Sequence, residues 1–83
     1  MTNKKPFTAE ELAEASRYEI VIHWSEEDQV FIASVPELTG VVTHGNTPAE
    51  AAENAVEVAA LWIYASRIQG DPIPEPRVIE LAH

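Results

Sequence analysis

Three histidines and one run of carboxylates are the residues of this chain whose types could do chemistry. The histidines are His23, His44 and His83. A transition-metal site built on them would need ligands roughly two to five residues apart, or carboxylates converging from elsewhere. No pair of them has that spacing, and the absence of cysteine removes thiolate ligands and disulfides together. His44 stands in the turn His44-Gly45-Asn46, where an imidazole reaching solvent could act as acid or base, cap a sheet end or touch a partner. Glu26, Glu27 and Asp28 are consecutive, and clustered carboxylates can hold magnesium or calcium. The run nevertheless lacks the glycine and the later bidentate glutamate of a calcium loop, and consecutive side chains diverge. It reads as a solvated hairpin tip that offers an acidic contact surface. Gly40, Gly45 and Gly70 are too far apart for a phosphate loop, and Ser16, Ser25, Ser34 and Ser66 stand in no nucleophile elbow. No enzyme signature results, and neither cofactor nor metal is expected.

The elements that would position these residues are legible from pattern. Thr8 followed by Glu11 matches a capping box, with Phe7, Leu12 and Ala15 on one edge. A helix of two turns is marginal alone, so it must dock on something, a neighbouring subunit being one option. Residues 18–24 alternate as a strand, with Tyr18, Ile20, Ile22 and Trp24 on one face and Glu19, Val21 and His23 on the other. Residues 29–35 form the return strand and are apolar on both sides, which marks a central strand or one covered by another chain. Pro36 and Gly40 turn the chain, and residues 41–44 give a third strand. Gly45 or Asn46 is expected at positive φ. Thr47 as N-cap, Pro48 at the first helical position and Glu50 three residues after the cap then start a long helix that ends before Gly70. Its core stripe is predicted as Ala52, Ala55, Val56, Ala59, Trp62, Ile63 and Ser66. Leu61 and Tyr64, on the outer side, are candidates for an oligomer interface. Prolines at 72, 74 and 76 impose an extended exit, after which Val78, Ile79 and Leu81 could add an edge strand. The sum is an α+β fold: a three-stranded antiparallel meander, a possible fourth edge strand, one long helix packed on it and a short N-terminal helix.

The chain has 83 residues, and a domain of that size buries only about 60–65% of its unfolded surface. Without disulfides, self-association into a dimer or tetramer is the leading source of extra stability. Fourteen acidic residues against five basic ones give a net charge of −9. Lys4, Lys5, Arg17, Arg67 and Arg77 make no stripe, so direct nucleic-acid binding is not expected, whereas a basic protein partner would be attracted. No apolar run approaches membrane-span length and the first residues lack a signal segment, so the expected location is the cytoplasm.

The stretches YEIVIHWSEEDQVFIASVPELTGVVTHGNTPAEAAENA and GDPIPEPR together resemble the HicB family of antitoxins, specifically the short HicB-like domain. The resemblance runs over residues 18–77 and lies in the order and spacing of its pieces. It places a HicB-like domain at residues 18–83, preceded by an N-terminal extension at residues 1–17. It implies a partial, catalytically incomplete RNase H-like domain and a partner toxin of the HicA type, a small basic ribonuclease that cleaves mRNA. The antitoxin would cover the toxin's RNA-binding and active-site surface, with Glu26, Glu27, Asp28, Glu37 and His44 as candidate contacts. Longer family members continue into an operator-binding domain, for which nothing basic beyond Arg77 provides. Two alternatives stand beside this reading. One is a stand-alone oligomeric interaction module; the other is a residual metal-dependent nuclease using Glu26, Asp28 or Glu37.

Overall fold

A computed structural model describes residues 5–77. The elements follow the order α1 (Ala9–Ala15), β1 (Val21–Ser25), β2 (Val30–Ser34), β3 (Val42–Gly45) and α2 (Pro48–Gln69). The strands pair antiparallel in the order β1-β2-β3, and α2 crosses one face of the sheet, giving the expected α+β fold. The possible fourth strand at Val78, Ile79 and Leu81 lies outside the described residues.

Local chemistry sets the helix ends. At α1 the Thr8 hydroxyl accepts from the Glu11 N–H at 3.4 Å, while the Glu11 carboxylate accepts from the Thr8 N–H at 2.8 Å, closing the capping box. This short helix docks on the chain's own α2, burying Ala15 and packing Phe7 and Leu12 against the core. At α2, Thr47 accepts from the Glu50 N–H at 3.0 Å and Pro48 takes the first turn. The Glu50 carboxylate reaches one residue further back than a capping box requires, to the Asn46 N–H. Gly70, at φ +75°, donates to the carbonyls of Ser66 and Arg67 and closes the helix.

All three strands begin later than their patterns predict, β2 at Val30 because Gln29 closes the preceding turn with its N–H on the Ser25 carbonyl. The Tyr18 N–H is taken by the Ala15 carbonyl as α1 unwinds, and the buried phenol donates to the Pro74 carbonyl. Tyr18 therefore pins the exit segment, and the ladder starts at Val21. Val41 is held in a turn, donating to Leu38 and accepting from Val35, so β3 starts at Val42 and extends to Gly45.

The buried stripe of α2 points in the predicted direction and keeps Ala55, Ala59, Ile63 and Ser66 of the predicted set, with differences in its other members. Ala51, Ala55, Ala59, Ala60, Ile63 and Ser66 are buried, whereas Ala52, Val56 and Trp62 are only half-buried. Gly45 does not use the positive φ expected of it or of Asn46; among described glycines only Gly40 and Gly70 do. Gly45 is instead buried under the first turn of α2, where a Cβ would lie 2.4 Å from the Ala51 nitrogen. This backbone-on-backbone approach buries Ala51 at the start of the helix. The core is thin in consequence: alanines of α2 meet Ala33, and Leu38, Ile63, Val35 and Val41 supply its largest fully buried side chains.

Candidate functional site

Strand register divides the candidate residues between two faces and two ends of the sheet. Ile22, Ala33 and Thr43 form one cross-strand row and Trp24, Phe31 and Gly45 the next, both on the side that carries α2. Val21, Ser34 and Val42 form a row on the opposite side, followed by His23, Ile32 and His44, then Ser25 and Val30.

The carboxylate run lies at the β1–β2 tip, where Glu26, Glu27 and Asp28 are all exposed. The turn is closed by Gln29 at φ +58°, whose N–H donates to the Ser25 carbonyl at 2.8 Å. Two of the acids are oriented by the hairpin itself. Glu26 accepts from the Trp24 indole at 3.0 Å, and Asp28 accepts from the Ser25 hydroxyl at 3.4 Å. Glu27 has no hydrogen-bond partner among the described residues. The ion pairs among those residues, Lys5 with Glu57 and Arg67 with Glu11 and Glu14, are all elsewhere. The tip thus presents three negative charges with no ion-pair partner among the described residues, and its field extends into solvent.

Glu37 and His44 do not join that cluster. Glu37 follows β2 at its far end, so the length of the strand, roughly 20 Å, separates it from the tip. Its carboxylate accepts from the Glu19 N–H at 3.3 Å and the Arg77 N–H at 2.7 Å, holding the start of β1 beside the exit segment. His44 projects from the face opposite α2, while its carbonyl accepts from the Asn54 amide at 2.8 Å. Glu26, Asp28 and Glu37 therefore do not converge as two-metal chemistry requires. Among the described residues no group of three or more His, Asp or Glu side chains could hold a metal ion.

Three features are absent from the expectations drawn from sequence. Ile68, 66% exposed, continues the outer stripe of Leu61 (45% exposed) and half-buried Tyr64; its i+7 spacing from Leu61 is the available signal. The clamp by Glu37 joins residues distant in sequence and leaves no local trace. The third is a fork in which Arg67 donates to both oxygens of Glu14, at 2.8 and 2.6 Å, and to Glu11 at 3.4 Å. That hydrogen bonding holds the Glu14 carboxyl below its usual range. The fork borders an open cleft of about 390 Å³ between α1, the end of α2 and Ile73–Pro74, with Tyr18 on its wall. Burial, followed by the nearby Glu37 charge, pushes the Tyr18 phenol up.

Fold and charge distribution together define a small acidic α+β domain that presents its charged groups outward. Residues 18–83 match the family described as HicB_like antitoxin of bacterial toxin-antitoxin system, and the chain belongs to that family. Membership implies a toxin as partner. Comparison with curated proteins and with solved structures gave no match. No helix among the described residues is long and apolar enough to cross a membrane.

Proposed function

We propose that this protein neutralises a small basic HicA-like ribonuclease toxin by seating its acidic β1–β2 tip on the toxin's RNA-binding and active-site surface. The observation that carries the reading is the exposed trio Glu26, Glu27 and Asp28, without an ion-pair partner among the described residues, on a chain of net charge −9 in an antitoxin family. Such a tip competes with RNA phosphates for one cationic groove and gains from charge complementarity both in encounter rate and in selectivity. The role is occupation, with no bond made or broken and no RNA held by the antitoxin itself. Glu37, engaged with two backbone N–H groups, serves the frame of the domain. His44 lies to the side, on the sheet. Self-association accompanies this reading, because the tip stays free when contacts form elsewhere.

The test is titration calorimetry between the full chain and the short basic product encoded beside it, inactivated so that cells can make it. Binding is expected to weaken steeply with added salt. Replacing Glu26 and Glu27 by Gln and Asp28 by Asn is expected to weaken it by about tenfold or more and to flatten the salt dependence. Unchanged affinity in that triple variant overturns the assignment of the tip. Failure of the neighbour to bind at low salt, together with failure of co-expression to rescue toxin-arrested growth, overturns the toxin reading.

A further inference from the structure

The sheet face turned away from α2 has no described element packed on it, since α1 contacts only α2 and α2 covers the other side. Its strand positions are Val21, His23, Ser25, Val30, Ile32, Ser34, Val42 and His44. Val42 is 59% exposed, and Val21, Val30 and Ile32 are each only partly buried. Charged residues make up 23% of the chain, and surfaces normally concentrate them, yet none of these positions carries a formal charge.

We propose that this bare face is the surface on which a second copy of the chain stacks, sheet on sheet, with Ile32 of each copy near the two-fold axis. Charge selects the occupant. Two copies, each at −9, repel wherever carboxylates would oppose one another, and this face lets them meet without such opposition. A basic partner gains nothing here that the acidic tip does not offer better. The outer stripe of α2 is less suited to self-contact, being flanked by the charged side chains of Glu57 and Arg67. Rows of Val21–Ser34–Val42 and His23–Ile32–His44 give a small apolar centre with a polar margin, the arrangement of an isologous contact. Size sets the strength. Three strands about 4.8 Å apart and about 17 Å long cover roughly 250 Å² in projection, well short of the ~800 Å² per partner of a standard interface. The pairing is therefore weak and reversible, with a dissociation constant in the micromolar range or above.

Sedimentation equilibrium of the full chain over a wide concentration range, with single substitutions, tests this. Val42→Glu alters an exposed position and Ile32→Glu a central one; each is expected to raise the dissociation constant about tenfold or more, and Leu61→Glu to leave it unchanged. Because the chain contains no cysteine, Ile32→Cys introduces a unique thiol. Stacked sheets lie about 10 Å apart, beyond disulfide reach, so a short bismaleimide is the probe. It is expected to link Ile32→Cys copies much faster than Leu61→Cys copies. Dissociation by Leu61→Glu with Val42→Glu inert, or faster linking at residue 61, overturns the proposal. So does a wild-type chain that stays monomeric. Toxin binding through the tip is measured separately and survives any of these results.

Discussion

In a Gly45→Ala chain the new methyl carbon would sit 2.4 Å from the Ala51 nitrogen, 2.8 Å from the Ala51 Cα and 2.9 Å from the Glu50 carbonyl carbon. All three are backbone atoms of the first turn of α2, so no rotamer change relieves the overlap and the helix must lift from β3. Overpacking of this kind costs about 1–3 kcal/mol, and backbone contacts on every side put this case at about 3 kcal/mol. For a domain of this size that is a fall in Tm of roughly 12–24 °C. Gly40 is the informative control. It sits at φ +85° and a Cβ there would meet nothing within 4 Å, so Gly40→Ala incurs only the left-handed backbone penalty of about 1–2 kcal/mol. Thermal unfolding followed by circular dichroism should rank Gly45→Ala as the more damaging, although Gly40 has the unusual backbone angle. Adding Ala51→Gly should not rescue Gly45→Ala, because the clash is with atoms that glycine retains. A Tm for Gly45→Ala at or above that of Gly40→Ala, or full rescue by Ala51→Gly, would refute the close approach of β3 and α2 as the source of the constraint.

Loss of the Glu37 clamp in Glu37→Ala should destabilise the domain by about 1–3 kcal/mol in urea titration and speed amide exchange at Glu19 and Arg77, while leaving toxin affinity unchanged. Tyr18→Phe removes the donor to the Pro74 carbonyl and should cost about 1 kcal/mol. Because the folded state raises the Tyr18 pKa, its contribution is complete below the unfolded value of about 10 and is lost as pH rises through the folded value. Wild-type Tm should therefore decline in alkali more steeply than that of Tyr18→Phe. Glu14 has the opposite sign: its folded pKa is lowered, so its contribution is present above the unfolded carboxylate range and disappears as pH falls through the folded value. Acid titration of Tm should accordingly be shallower in Glu14→Gln than in the wild type.

Helix ends and strand order are legible in the sequence because their signals are local. Thr8 with Glu11, and Thr47 with Pro48, name their caps within four residues, and alternation marks the hairpin. Tyr18 and Val41 mislead as strand starts because both residues fit a β pattern but spend their backbone groups on turns. The direction of the helix stripe is legible from its spacing, whereas the burial of Ala51 follows from Gly45, a residue on another element. The acidic tip is legible as a run of like charge, but residue type alone groups Glu37 with it. Only tertiary geometry reveals that Glu37 binds two backbone N–H groups at the other end of the sheet. The bare face is half-visible in the two-sided apolar pattern of β2, whereas its freedom from charge emerges only once the registers of three strands are combined.

Trp24 gives the hairpin an optical handle. Its ring meets Phe31 edge-on at 4.9 Å, and its indole N–H is tied to Glu26 within the tip. Whatever lands on those acids must disturb the indole's surroundings, so emission from the hairpin reports docking without an added dye. With Trp62 replaced by Phe, the remaining tryptophan would register arrivals at the tip alone.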